Sequence, residues 1–251
     1  MNFPDIDNEE WLDQVRTFMT DLSTRYMPGI SVNIVVFHYN AGRLCLLLMR
    51  FADTGQYMLP GGYVLKEEDL DDAAIRCLTE WTGKGNLLPE QFYTTGKVNR
   101  AAEQTIEDTI RTKLPGIFEN WLSQRKVSVC YYTMTDSSDI NPSVIDYFIS
   151  ESRWSAISDM PDLLFDHKLI IEKAVLKLQA DLDKKLLEYN MLPKEFTMGD
   201  LQKLYEAVFQ RSFTRANFQR RMLSLGILER LGKKFDGGAH KAPYLYRVKS
   251  V

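Results

Sequence analysis

Glu67, Glu68 and Glu80 are the carboxylates whose surroundings could do chemistry. They lie in one stretch, Met58 to Lys84, where an apolar segment meets Pro60-Gly61-Gly62 and then a run with helical spacing. Mg²⁺ takes several hard oxygen ligands. Cys77 and Trp81 share the helical run with Glu80, but a thiol is a poor Mg²⁺ ligand and an indole is none. Glu80 alone on the helix, with Glu68 in the loop before it, falls short of a metal cluster, so no metal, cofactor or catalytic residue is expected. No CxxC pair or Cys/His cluster suggests zinc. The cysteines, Cys45, Cys77 and Cys130, are scattered and odd in number, as reduced thiols of a cytosolic protein would be. His167, next to Asp166, reads as a structural hydrogen-bonding residue.

A second chemistry lies at the C-terminal end. Residues 195–251 carry 11 Lys+Arg against 5 Asp+Glu, a net of +6, whereas residues 1–194 carry 20 against 29, a net of −9. A basic end on an acidic body points to a polyanionic partner. The charges also sit on recognisable elements. Thr197 is positioned to cap a helix with Leu201, Leu204, Tyr205 and Val208 on its core face. Thr214 is positioned to cap a second, Arg215 to Leu225. There Phe218, Met222 and Leu225 face in, Arg215, Asn217, Gln219, Arg220 and Ser224 face out, and Arg221 lies near the boundary. Strands at Ile227–Leu231 and Tyr244–Val248 flank a loop holding Lys233, Lys234, His240 and Lys241. Two helices and a hairpin with a basic tip make a winged helix-turn-helix. Such a helix enters the major groove, where Arg reads guanine and Asn reads adenine. The basic wing reaches phosphate or the minor groove. The candidate DNA-binding set is Thr214, Arg215, Asn217, Arg220, Arg221, Lys233, Lys234, His240 and Lys241. A winged helix used only for protein contacts is the competing reading, against which the basic charge and the polar outer face argue.

The rest of the chain must position these groups. Its 251 residues are 45% hydrophobic and 26% charged, the range of a soluble globular protein. No apolar run spans a membrane and the start is no secretion signal, so a cytoplasmic location is expected. A helix from Asn8 to about Tyr26 presents Trp11, Val15, Phe18, Met19 and Leu22. Ser31–Tyr39 and Arg43–Arg50 read as strands around the turn Asn40-Ala41-Gly42. Pro60-Gly61-Gly62 reads as a glycine turn into the helix, whose stripe is Leu70, Ala74, Leu78 and Trp81, with Gly83 as C-cap. Strands at Phe92–Val98 and Val127–Met134 bracket a helical insertion at about 100–125. The insertion could cover a pocket or form a dimer contact. A strand from Arg153 and a helix from His167, with Asp166 as its N-cap, complete the body. The fold expected is α/β: an α/β/α sandwich around a mixed sheet, then a small winged helix-turn-helix. The corresponding divisions are an N-terminal helix at 1–28, a body at 29–188 and a winged helix at 195–251.

The stretch Met58 to Lys84 resembles the Nudix box, which implies that the α/β/α sandwich is of the Nudix type. The family's box runs Gly, five residues, Glu, seven residues, Arg-Glu, an apolar residue, any residue, Glu-Glu, any residue, Gly. Gly62, Glu68, Arg76, Leu78, Glu80 and Gly83 fall in register, while Cys77 and Trp81 stand where the family has glutamates. A degenerate Nudix domain before a winged helix resembles the bacterial Nudix-related transcriptional regulators, which include repressors of NAD metabolism and relatives controlling arabinose and other sugar pathways. The segments 196–207, 217–221, 237–241 and 245–247 carry that likeness. It implies a homodimer that binds a palindromic double-stranded operator and a small effector, such as ADP-ribose or a pentose, in the Nudix domain. The pocket beside the box gives the candidate effector residues Gly61, Gly62, Glu68, Cys77, Glu80 and Trp81. Trp81 could stack on a sugar or base, or serve as a core indole. The alternative function is a Nudix hydrolase of a nucleoside diphosphate derivative with an accessory winged helix.

Overall fold

The computed structural model describes residues 23–51, 55–98, 125–136, 140, 149–188, 191–234 and 242–249, together with Asp13, Arg16, Thr17, Thr20 and Asp21. The helical insertion, the stripe Trp11, Val15, Phe18, Met19 and Leu22, and the wing residues His240 and Lys241 lie outside the described residues.

The centre of the body is β1 (Tyr26–Asn40). Its run Val32–Phe37 is dense in β-branched side chains and buried, as befits a strand covered on both faces. A two-residue turn at Ala41-Gly42, φ 49° and 81°, returns the chain into β2 (Arg43–Phe51). β3 (Tyr57–Met58) pairs with β2, and β4 (Gly61–Leu65) pairs with the first half of β1. The Nudix-box helix is α1 (Leu70–Thr82), followed by β5 (Glu90–Thr95), β6 (Val127–Thr135) and β7 (Ile149–Ala156). β6 runs parallel to β1; the other pairings in this seven-stranded sheet are antiparallel. The sheet is therefore mixed, as expected.

Period-two alternation sends residues to opposite faces. Val32, Ile34, Val36, Val129 and Tyr131 pack with Ala73, Ala74, Cys77, Leu78 and Trp81 of α1. Val35, Phe37, Cys130, Tyr132 and Met134 pack with Ile170, Ile171, Ala174, Leu178 and Leu182 of α2 (His167–Glu188). A helix layer on each face makes the α/β/α sandwich.

The C-terminal part begins with β8 (Phe196–Thr197) and α3 (Met198–Phe209). Thr197 and Asp200 form a reciprocal capping box at the start of α3. Then come α4 (Arg215–Ser224), β9 (Leu228–Lys233) and β10 (Tyr244–Val248), with β10 between β8 and β9. This is a winged helix. Its core is not separate: Met191, Phe196, Met198, Leu201, Leu204 and Tyr205 belong to the same apolar cluster as Leu44, Leu46 and Leu182 of the body.

Several expected bounds move. The first strand starts at Tyr26 rather than Ser31, with a shift in its register against β4 between Tyr26 and Ser31. Gly61-Gly62 is strand and not turn. Neither glycine has a positive φ, and Gly61 pairs with Asn33 and Gly62 with Val32. β5 ends at Thr95 rather than Val98, and the last body strand starts at Ile149 rather than Arg153. Thr214 occupies the N-cap of α4 without a side-chain capping bond. The Asp166 carboxylate accepts from Thr95 Oγ1 at 2.6 Å.

Candidate functional site

The two glycines of β4 lie close against β1 and α1. A Cβ on Gly61 would meet Val32 O at 2.4 Å, and one on Gly62 would meet Cys77 Sγ at 2.6 Å. Close approach, not backbone freedom, is what these glycines supply. Cys77 is wholly buried, and that burial pushes its thiol up to about 12. Trp81 is 7% exposed, and its indole N–H donates to Gly61 O at 2.8 Å. The carbonyl nearest the box is thus bonded to a nitrogen donor. Of the two readings for Trp81, the structure takes the core indole.

Glu68 and Glu80 converge on one cation. Arg76 donates Nε to Glu68 Oε1 at 2.7 Å and Nη2 to Glu68 Oε2 at 2.9 Å, and Nη2 also reaches Tyr63 O at 2.8 Å. Its Nη1 reaches both oxygens of Glu80 at 3.3 Å. The Leu65 amide adds a bond to Glu68. The Arg76 hydrogen bond holds the Glu68 carboxyl below its usual range, and the same bond holds the Arg76 guanidinium above its own. Glu67 is exposed. Among the described residues, no group of three or more His, Cys, Asp or Glu is arranged to hold a metal ion.

The six candidate pocket residues therefore divide. Cys77 and Trp81 fill the interior against Gly61 and Gly62, while Glu68 and Glu80 stand at the rim on Arg76. Cys77, with no exposed surface, is corrected from a pocket residue to a core one. Arg76 was missed as an organising residue, although its spacing of eight from Glu68 and four from Glu80 was a usable signal. His167 is 2% exposed, and its Nδ1 accepts the Leu59 amide at 3.0 Å, the structural role expected.

On the winged helix, Phe218 and Met222 are buried, and Arg215, Asn217 and Arg220 of α4 are exposed. Arg220 Nη2 donates to Asn217 Oδ1 at 3.0 Å, and Asn217 Nδ2 donates to Thr214 Oγ1 at 3.3 Å, so three candidates form one polar ladder. Arg221 departs from it. Its Nη2 donates to Asp183 Oδ2 of α2 at 2.8 Å, and its guanidinium lies 5.5 Å from the Tyr205 ring centroid. On the wing, Lys233 and Lys234 are exposed, and Lys233 Nζ lies 5.7 Å from the Tyr244 ring centroid. A cleft of about 390 Å³ lies between the Gly42–Leu44 hairpin and Lys203, Glu206 and Arg211, at the junction of body and winged helix and away from α1.

Residues 188–248 match the family model described as the NrtR DNA-binding winged helix domain. A curated protein of Acinetobacter baylyi, the "ADPR responsive transcriptional repressor NtrR", is 26% identical over 227 residues, covering 88% of this chain and 82% of that protein. The crystal structure of Shewanella oneidensis NrtR is similar with TM-score 0.61 and 24% identity, covering 88% of this chain and 94% of that one. The same protein complexed with a 27mer DNA gives TM-score 0.61 and 23% identity, covering 88% and 93%. The chain is thus NrtR-like in make-up, a Nudix-fold body joined to a winged helix of the NrtR DNA-binding type.

Proposed function

We propose that this protein is a transcriptional repressor whose Nudix-fold body binds ADP-ribose, or a related nucleotide-sugar or sugar, and thereby controls operator binding by the winged helix. The observation that carries the reading is α4, which buries Phe218 and Met222 and leaves Arg215, Asn217 and Arg220 exposed on one polar face. Side chains of these types pair with guanine and adenine edges in a major groove. Lys233 and Lys234 on the wing are placed to hold phosphates. The names of the relatives agree: the Acinetobacter protein is called ADPR responsive, and Shewanella NrtR has been crystallised with DNA. In this reading the chain is a cytoplasmic homodimer on a palindromic site, with its two α4 helices about 34–36 Å apart. No helix among the described residues is long and apolar enough to cross a membrane. The body spans about residues 29–188 and the winged helix 195–251.

Catalytic silence is part of the same reading. Cys77 and Trp81 replace two box glutamates and are packed into the core, and Arg76 neutralises the two carboxylates that remain. The ligand is expected at the rim formed by Gly61, Gly62, Glu68 and Glu80. No metal-dependent hydrolysis of ADP-ribose is expected, and turnover abolished by Glu80→Gln would establish the hydrolase instead.

The test is a mobility-shift titration on duplexes selected from a random pool by the wild-type chain. Arg220→Ala should lose about 1–3 kcal/mol and relax one base position, whereas Lys234→Ala should weaken all duplexes alike and flatten the salt slope by about one. ADP-ribose should change duplex affinity by about 5–150-fold. Unaltered binding in both variants would overturn this assignment of helix and wing.

A further inference from the structure

α4 carries four of the candidate DNA-binding residues, Arg215, Asn217, Arg220 and Arg221, and the last is engaged elsewhere. Arg221 lies one residue step, about 100°, beyond Arg220 toward the buried Phe218. Its guanidinium donates to Asp183 Oδ2 at 2.8 Å and lies over the Tyr205 ring. The other Asp183 oxygen accepts the Tyr205 hydroxyl. One carboxylate of α2 thus holds both winged-helix helices, α3 through Tyr205 and α4 through Arg221. Four residues earlier on α2, Gln179 Nε2 donates to Val208 O at 2.9 Å, a second bond to α3. The same stretch of α2 is fixed to the sheet. Lys185, side chain 5% exposed, pairs with Glu90 of β5 at 2.6 Å, and Tyr132 of β6 donates to Asp181 at 3.3 Å.

We propose that Arg221 is a positioning residue rather than a DNA contact, and that its tie to Asp183 sets the angle at which α4 leaves the body. The proposal deepens the DNA-binding reading above and rests on it. An arginine on an exposed recognition helix ordinarily adds attraction to phosphate, and an aspartate beside it subtracts. The two roles therefore differ in sign at Asp183. If Arg221 contacts DNA, removing Asp183 frees the arginine and tightens binding. If Arg221 positions α4, removing Asp183 loosens the helix and weakens binding.

The experiment uses the full chain and the selected duplexes in a fluorescence-anisotropy titration across salt concentrations. Arg221→Ala and Asp183→Ala are each expected to weaken binding about 2- to 5-fold, the range an exposed ion pair supports. The double variant should be no weaker than either single one, because both remove the same contact. Base preference and salt slope should stay those of the wild type. Asp183→Asn keeps an acceptor for Tyr205 and guards against loss of folding, and it should behave as Asp183→Ala does. Tighter binding by either Asp183 variant, or a salt slope lowered by about one in Arg221→Ala, would overturn the proposal and leave the DNA-binding reading intact. A wild-type chain that selects no duplex overturns both.

Discussion

Replacing Gly62 by alanine sets a Cβ against Cys77, one of the two residues that stand where the resembled box has glutamates. The new carbon would stand 2.6 Å from Cys77 Sγ, about 1 Å inside ordinary contact, and 4.0 Å from Cys77 Cβ. The sulfur has little room to retreat, because Cys77 is fully buried on α1 among Val64, Ala73, Ala74 and Leu78. Overpacking of this kind costs about 1–3 kcal/mol. Cys77→Ala alone removes one buried heavy atom and is expected to cost roughly 1 kcal/mol. In the double variant the alanine Cβ at 62 meets nothing closer than the Cβ at 77, so the clash is gone. The expectation is non-additivity: the double variant should be about as stable as Cys77→Ala alone, so the coupling should equal the whole Gly62→Ala cost, about 1–3 kcal/mol. Urea unfolding followed by tryptophan fluorescence measures this, comparing midpoints at constant slope. Singles that simply add, or a Gly62→Ala cost under about 0.5 kcal/mol, would refute the contact. It would also return Cys77 to the pocket as a ligand-facing thiol.

Three further outcomes follow from the same packing. Cys77, its thiol pushed up to about 12 by burial, should resist alkylation by iodoacetamide near pH 8 in the folded chain and react on unfolding, as peptide mapping would show. Because that folded value lies above the ordinary 9.0, its contribution to stability is full below pH 9.0 and is lost as pH rises toward about 12; Cys77→Ala should flatten that alkaline fall. Glu68→Gln should cost about 1–3 kcal/mol at pH 7, since two charge-assisted bonds to Arg76 weaken. The wild-type Glu68 value is lowered, so its advantage is present above 4.5 and vanishes as pH falls through the folded value, and unfolding midpoints at pH 7 and pH 3 should diverge and converge accordingly. His167→Ala leaves the buried Leu59 amide without its acceptor and should cost about 1–3 kcal/mol by thermal unfolding.

What could be read from the residues was what local physics decides. The limits of α1 followed from its apolar spacing and Gly83, whose φ of 70° and bond back to Thr79 O end the helix. The capping threonine at 197, the inward face of α3, Phe218 and Met222 on α4 and the structural histidine at 167 were legible for the same reason, whereas Leu225, expected to face in, stands at the C-cap of α4 and is exposed. Gly61-Gly62 was not, because glycine for a turn and glycine for close approach look alike until the partner is known, here Val32 on one side and Cys77 on the other. Arg221 was placed at the boundary of the outward face, and only the position of Asp183, 38 residues away, decides which way it turns. The junction was illegible too, since no periodicity reveals that the apolar stripe of α2 is shared between the sheet and the winged helix.

That shared stripe changes how control could work. A short linker at 189–194 reads in sequence as an ordered joint with room for a small hinge movement. In the structure Met191 is buried, and one apolar cluster runs from Phe37 and Leu46 through Leu178 and Leu182 to Leu204 and Tyr205. A joint that buries side chains on both sides moves between packed arrangements rather than swinging. The contacts leading to it are contiguous. Asp71 of α1 accepts from Tyr131 of β6 at 2.7 Å, the next residue, Tyr132, reaches Asp181 on the opposite face, and Asp183 holds Tyr205 and Arg221. In the proposed reading, a ligand at the α1 rim is separated from α4 by one strand and one helix. It can alter DNA affinity only by binding one arrangement of β6 and α2 more tightly than another. The same packing means that a fragment ending near residue 186 would bare the α2 face now covered by α3, so ligand affinity and DNA affinity have to be measured on the full chain.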